Sequence, residues 1–144
     1  NRPDATAEVL KNGWVHTGDI GKMDEAGYLT FIGRVKEMIK VSGFSVFPEE
    51  VESILILHPA VKQVEVIGVP DAKWGEAVKA VVVLRPGQQV EAETLMALVR
   101  ARKGALHAPK QLVFAEALPQ TALGKIDKKA LRAQEWAGSG RNVA

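Results

Sequence analysis

The densest apolar runs lie in the middle of the chain. Val61 to Val69 (VKQVEVIGV) and Val78 to Leu84 (VKAVVVL) are rich in β-branched residues and read as strands, ended by Pro70-Asp71 and Pro86-Gly87. Val78, Ala80, Val82 and Leu84 read as core. Around them the period changes. From Pro48 onward Val51, Ile54, Leu55 and, one turn on, His58 recur at helical spacing, giving one apolar stripe that Pro59 ends. Glu91 to Lys103 repeats the pattern, with Leu95, Leu98 and Val99 inward and Gly104 as the stop. Met38, Ile39 and Val41, a Ser42-Gly43 turn and Val46-Phe47 predict a short hairpin. Pro48 then opens its helix with Glu49, Glu50 and Glu52 near the positive end of the dipole, a start signal with a mechanism. Lys110 to Phe114 predicts a short strand, Pro119 to Lys125 an irregular loop, and Ile126 to Trp136 a final helix. The Gly/Ser/Asn-rich tail from Gly138 is expected to fray.

The opening third is poorer in apolar residues. Residues 1 to 13 predict a short helix capped by Asp4 and ended by Gly13. Trp14 to His16 lead into a tight Thr17-Gly18-Asp19 turn. Asp24 to Gly27 form a second turn, and Tyr28 to Ile32 alternate as a strand, so residues 14 to 33 read as a hairpin or small meander. Such a segment cannot build its own core and needs another domain to pack on. Strands and helices mix without regular alternation, which favours a small α+β sandwich over a doubly wound fold.

Composition adds exclusions. The chain of 144 residues is long enough for one compact domain. A net charge of +2 gives no reason to expect nucleic acid or an anionic membrane as partner. The absence of cysteine rules out a disulfide framework, a thiolate nucleophile and Cys-ligated zinc, and fits a reducing, cytoplasmic setting. No apolar run reaches the roughly 18 residues of a membrane span, and the N-terminus lacks a signal-peptide pattern. Because Asn1 is not an initiator methionine, the chain is expected to be an excised piece of something longer.

Few residues offer chemistry one at a time. The Gly124-Lys125 pair invites a phosphate-loop reading, but that motif needs an earlier glycine and a Ser or Thr after the lysine, where Pro119 and Ile126 stand. Lys125 is then either a mobile point charge on a glycine-hinged loop or one more lysine on a basic face with Lys128, Lys129 and Arg132. Asp19 either accepts hydrogen bonds from ribose hydroxyls or closes its turn. Arg34 either bonds the same sugar or a phosphate, or pairs with a surface acid. Gly43 either supplies the positive φ of its turn or leaves room for a ligand path, and the two are compatible. His16, His58 and His107 lack metal-ligand spacing, and Trp14, Trp74 and Trp136 lie too far apart for a stacking platform. No Ser-His-Asp set, acid pair or zinc site stands out.

Three ordered blocks change this picture. They are Gly13-Trp14-Val15-His16-Thr17-Gly18-Asp19, the stretch Gly33 to Glu52 (GRVKEMIKVSGFSVFPEEVE), and P-x-T-x-x-G-K at Pro119 to Lys125. Together they resemble the C-terminal quarter of the acyl-CoA synthetase branch of the adenylate-forming ligases, the superfamily of firefly luciferase and peptide-synthetase adenylation domains. The resemblance implies an α+β domain over residues 38–136, with a β-hairpin and a central three-stranded sheet flanked by helices. Residues 34–37 would be a charged, unpacked hinge, 1–33 the hairpin end of a large N-terminal domain, and 137–144 a disordered tail. It implies a ligase using ATP with Mg2+, bound mainly by that missing domain, to turn a fatty or aryl acid into an acyl-adenylate. Coenzyme A then displaces AMP. By motif position Asp19 and Arg34 would bind the nucleotide, Lys36 would be the hinge residue and Lys125 the catalytic cation. Ser42, Gly43 and Phe44 would line the coenzyme A path. Lysine at the hinge, where many amino-acid-activating domains carry aspartate, leans towards acyl-CoA synthesis. Ala122-Leu123 departs from the small or polar pairs common in the third block. The implied partners are the chain's own N-terminal domain, the acid, ATP and coenzyme A, and the piece alone is expected to be inactive. The rival reading is a non-catalytic nucleotide- or partner-binding module built on the Lys125, Lys128, Lys129 and Arg132 face.

Overall fold

A computed structural model describes residues 2–137. Its centre is the long antiparallel pair β7 (Val61–Asp71) and β8 (Gly75–Leu84), in register from Val61↔Leu84 to Asp71↔Gly75. Pro70-Asp71 does not end β7, as the sequence suggests. Pro70 shares the parity of Val66, whose N–H points away from β8, and β7 is an edge strand, so the missing donor breaks no ladder bond. The turn comes after it, where the Asp71 carboxylate accepts from the amides of Lys73 and Trp74 at 2.9 and 2.8 Å. Helix α3 (Ala92–Lys103) carries the chain over to β9 (Gln111–Phe114), which pairs parallel to β8. The hairpin β5 (Ile39–Val41) and β6 (Phe44–Val46) joins through the single pair Val41↔Gly75. The expected hairpin and three-stranded unit therefore form one five-stranded sheet, ordered β6-β5-β8-β7 with β9 beside β8.

Both faces of the sheet are covered, which is why β8 is apolar at nearly every position. Val64, Val66, Val78, Ala80 and Val82 pack against α3 and α2 (Pro48–Leu55) through Val51, Ile54, Leu55, Leu95 and Val99. Ile67, Val69, Ala77, Val81 and Val83 face the other way, under Leu118 and Leu131 of α4 (Lys128–Trp136). The result is three layers, helix pair, sheet and helix. The final helix opens at Lys128, not Ile126, because Asp127 is its N-cap and accepts from the Ala130 amide. Helix α2 stops at Leu55, short of His58, whose Nδ1 accepts from the Ala60 amide. Residues from Gly138 on lie outside those described.

The opening segment differs from the expectation in detail. Helix α1 (Pro3–Val9) ends before Gly13, and Asp4 pairs with Arg2 at 3.0 Å instead of capping. Strands β1 (Leu10–Lys11) and β2 (Trp14–Val15) close around Asn12 and Gly13 at φ 53° and 80°, as a two-residue hairpin of this hand requires. Strands β3 (Asp19–Met23) and β4 (Leu29–Arg34) form the expected hairpin around the Asp24 to Gly27 turn, with Asp19 already in the strand. A 3-10 turn, Val35–Glu37, leads from β4 into β5.

Candidate functional site

The β3–β4 register puts Asp19 directly opposite Arg34, and Arg34 Nε donates to Asp19 Oδ1 at 3.1 Å. The turn before it is fixed by Thr17 Oγ1, which accepts from the Asp19 amide, and by Gly18 O, which accepts from the Val35 amide. Arg34 thus does pair with an acid, and that acid is Asp19. Both side chains stay open to solvent, 61% and 36% exposed, so the second carboxylate oxygen remains available to hydroxyl donors.

Lys125 sits on a loop whose backbone is pinned and whose side chain is not. Lys125 O accepts from Thr121 N at 2.7 Å, Thr121 O accepts from Gly124 N at 2.9 Å, and Gly124 adopts φ 76°. The Gln120↔Ile126 bridge closes the base. Among the described residues no hydrogen bond or ion pair engages the Lys125 side chain, and none links it to Asp19 or Arg34. At the hairpin tip Ser42 and Gly43 have φ 51° and 85°, Phe44 is 64% exposed, and a Cβ added at Gly43 would meet nothing within 4 Å. Lys36 is exposed in the 3-10 turn.

The structure corrects the sequence on Lys128 and Arg132. Neither belongs to an open basic face. Lys128 Nζ lies 2.9 Å from Glu37 Oε2, 2.9 Å from Glu65 Oε1 and 3.7 Å from Glu52 Oε1. Arg132 donates to the carbonyls of Lys36 and Glu37 at 3.4 and 3.2 Å. Residues 34–37, expected to be an unpacked hinge, are therefore packed at the Glu37 end. One signal was present in the sequence: Glu65 sits inside a run of β-branched residues, where a carboxylate needs a buried partner.

Burial, then repulsion from Glu65, pushes the Glu52 carboxyl up to about 7, and burial also raises Glu65. Burial opposes the Lys128 charge, but Glu65, Glu52 and Glu37 more than offset it and hold its pKa above the ordinary lysine range. For Glu52 the folded value lies above the ordinary 4.5, so its favourable contribution is complete below pH 4.5 and disappears as pH rises through 7. Glu52→Gln keeps an oxygen to accept from the Val66 amide, as Glu52 Oε1 does at 3.0 Å. It is expected to raise stability at pH 8 by about 1–3 kcal/mol and leave it unchanged near pH 4. Urea unfolding at the two pH values checks this; equal effects at both would refute the assignment.

A concave feature also escaped sequence reading. A groove of about 610 Å³ between β5 and α3 is lined by Val41, Trp74, Met96, Arg100 and Lys110. The ammonium groups of Lys73 and Lys110 lie 4.8 and 4.7 Å from the Trp74 ring centre.

Residues 50–125 match the family described as AMP-binding enzyme C-terminal domain, more than half of the chain. The chain belongs to this family. As an AMP-binding C-terminal domain it is similar to a medium/long-chain-fatty-acid–CoA ligase of Mycobacterium tuberculosis, 50% identical over 99% of the chain and 26% of the relative. Among solved structures, the amide bond synthetase McbA from Marinactinospora thermotolerans is 42% identical with a TM-score of 0.86, over 93% of this chain and 28% of that one. A Mycobacterium tuberculosis fatty acyl CoA synthetase is 44% identical with a TM-score of 0.73, over 95% and 27%. The chain thus spans about a quarter of the length of these relatives. Among the described residues no group of acidic, His or Cys side chains is arranged to hold a metal ion, and no helix is long and apolar enough to cross a membrane.

Proposed function

We propose that the chain is the C-terminal part of an ATP-dependent acyl-CoA ligase that activates a fatty or aryl acid. The observation carrying this reading is the exposed Asp19–Arg34 pair, together with a Lys125 side chain that has no partner among the described residues on its pinned loop. Asp19 accepts the ribose hydroxyls of ATP, and Arg34 holds that carboxylate in place and reaches the same sugar. In the first step a carboxylate oxygen of the acid attacks the α-phosphorus and pyrophosphate leaves. Lys125 lies between the two anions, where negative charge crowds in the transition state. In the second step the coenzyme A sulfur attacks the acyl carbon, AMP leaves, and the thiol proton passes to solvent or base. Here the Ser42-Gly43-Phe44 tip lines the pantetheine path.

Residues 1–33 fit the end of a preceding domain. Trp14, Tyr28 and Leu29 are 76%, 73% and 71% exposed, an apolar surface that a larger neighbour would cover. Residues 34–37 are the hinge and Lys36 its pivot, and ATP and Mg2+ are held mainly by the preceding domain.

The isolated chain is expected to show no ATP–pyrophosphate exchange, because Lys125 has no bound substrate to act on. The full-length protein should exchange in the presence of fatty or aryl acids. Exchange by the isolated chain would refute the reading. The likeness to an amide bond synthetase supports a second one, in which an amine replaces coenzyme A. Offering both acceptors to the preformed acyl-adenylate separates the two.

A further inference from the structure

The segment read as the hinge is gripped on both sides. Before it, Gly33 of β4 packs so closely on the start of α2 that an added Cβ would lie 2.7 Å from Glu49 Oε2 and 2.9 Å from Phe47 Cδ1. At its far end, Glu37 is ion-paired to Lys128, and the carbonyls of Lys36 and Glu37 accept from Arg132. Lys128 is anchored from α2 by Glu52 and from β7 by Glu65. Between the grips Arg34, Val35 and the Lys36 side chain are exposed. Lys128 is also only three residues beyond Lys125, and the Asp127 amide bonded to Pro119 O leaves little slack between them.

We propose that Lys128 and Arg132 are positioning residues that clamp the far side of the hinge to α4, so that Glu37 onward and the Lys125 loop turn as one rigid body. The β4 ladder at Arg34 and the Val35 amide bonded to Gly18 O hold the near side, so backbone rotation is confined to Val35 and the N-terminal side of Lys36. A turn made there reaches Lys125 undiminished, which a soft joint would not achieve. Gly33 contributes by lacking the Cβ that would jam against Glu49. This inference rests on reading residues 34–37 as the hinge of a two-step ligase.

The test uses the full-length protein with Glu37→Gln and Arg132→Ala, each of which leaves Lys128 on Glu52 and Glu65. Lys128→Met is the harsher variant, because it strands Glu65, and it is used only if it folds. Amide hydrogen exchange across residues 35–38 should rise about tenfold or more, because the local opening loses its restraint. The adenylation kcat should fall about tenfold with KM for ATP and acid within about twofold, since positioning and not ground-state binding is lost. Unchanged exchange in the two milder variants overturns the clamp, and raised exchange with an unchanged kcat overturns its positioning role. Full adenylation by Lys125→Ala would instead defeat the ligase reading, and the exchange measurement would still judge the clamp.

Discussion

Lys125→Ala in the full-length protein should slow adenylation by about a hundredfold or more, which is roughly 2.7 kcal/mol of transition-state stabilisation. Thioester formation from supplied acyl-adenylate should proceed close to the unmodified rate. The asymmetry follows from the loop. Its backbone is closed by the Thr121–Lys125 and Gly124–Thr121 hydrogen bonds, which the alanine variant retains, so the change removes one ammonium group and little else. A side chain with no partner among the described residues also leaves no stranded acid behind. The measurement is ATP–pyrophosphate exchange beside a direct thioester assay. Equal loss in both half-reactions would assign Lys125 a structural role, and no loss in either would remove it from the site.

Gly43→Leu should give the opposite selectivity. Thioester formation should fall about tenfold or more, while adenylation stays near its unmodified rate. The position has φ 85°, so any side chain costs about 1 kcal/mol of backbone strain. That strain is confined to a hairpin joined to the sheet by one residue pair, and a Cβ added there meets no atom within 4 Å. The domain should therefore fold, with the leucine projecting into the space where pantetheine would run. Gly43→Ala separates strain from obstruction, because it carries the same backbone cost with far less bulk. If alanine and leucine are equally damaging to the second step, or if leucine damages both steps alike, the hairpin does not line the acceptor path.

What the sequence made legible was what lies close together along it. The β-branched runs of β7 and β8, the Pro48 start of α2 and the Gly104 stop of α3 each follow from local pattern, although β7 runs on to Asp71 and β8 begins already at Gly75. The Asp19–Arg34 contact was also near the surface of the text, since both residues fall within recognisable blocks and one hairpin pairs them. The ionic cluster was not. Glu37, Glu52 and Glu65 stand on a 3-10 turn, a helix and a strand, and only the docking of α4 brings Lys128 among them. A row of lysines and an arginine reads as a solvated face until tertiary packing says otherwise. Pro70 misled for a related reason. It forbids a central strand, but whether β7 is central or at the edge is a property of the whole sheet.

The open side of β7 has one further consequence. An edge strand offers its unpaired amides and carbonyls to any other extended chain, and long flat edges invite stacking into aggregates. Here the Val66 amide is taken by the Glu52 carboxylate, and the Gly68 carbonyl is taken by Trp136 Nε1 at 2.9 Å. Pro70, two residues on, has no amide to offer. At three successive outward positions one backbone group is thus denied to an incoming strand, and the side chains that occupy the first two come from helices on opposite faces of the sheet. This domain must separate from and re-dock on its neighbour if the ligase reading holds, and the stretch from Val66 to Pro70 of its long edge is a poor template for a second molecule's strand.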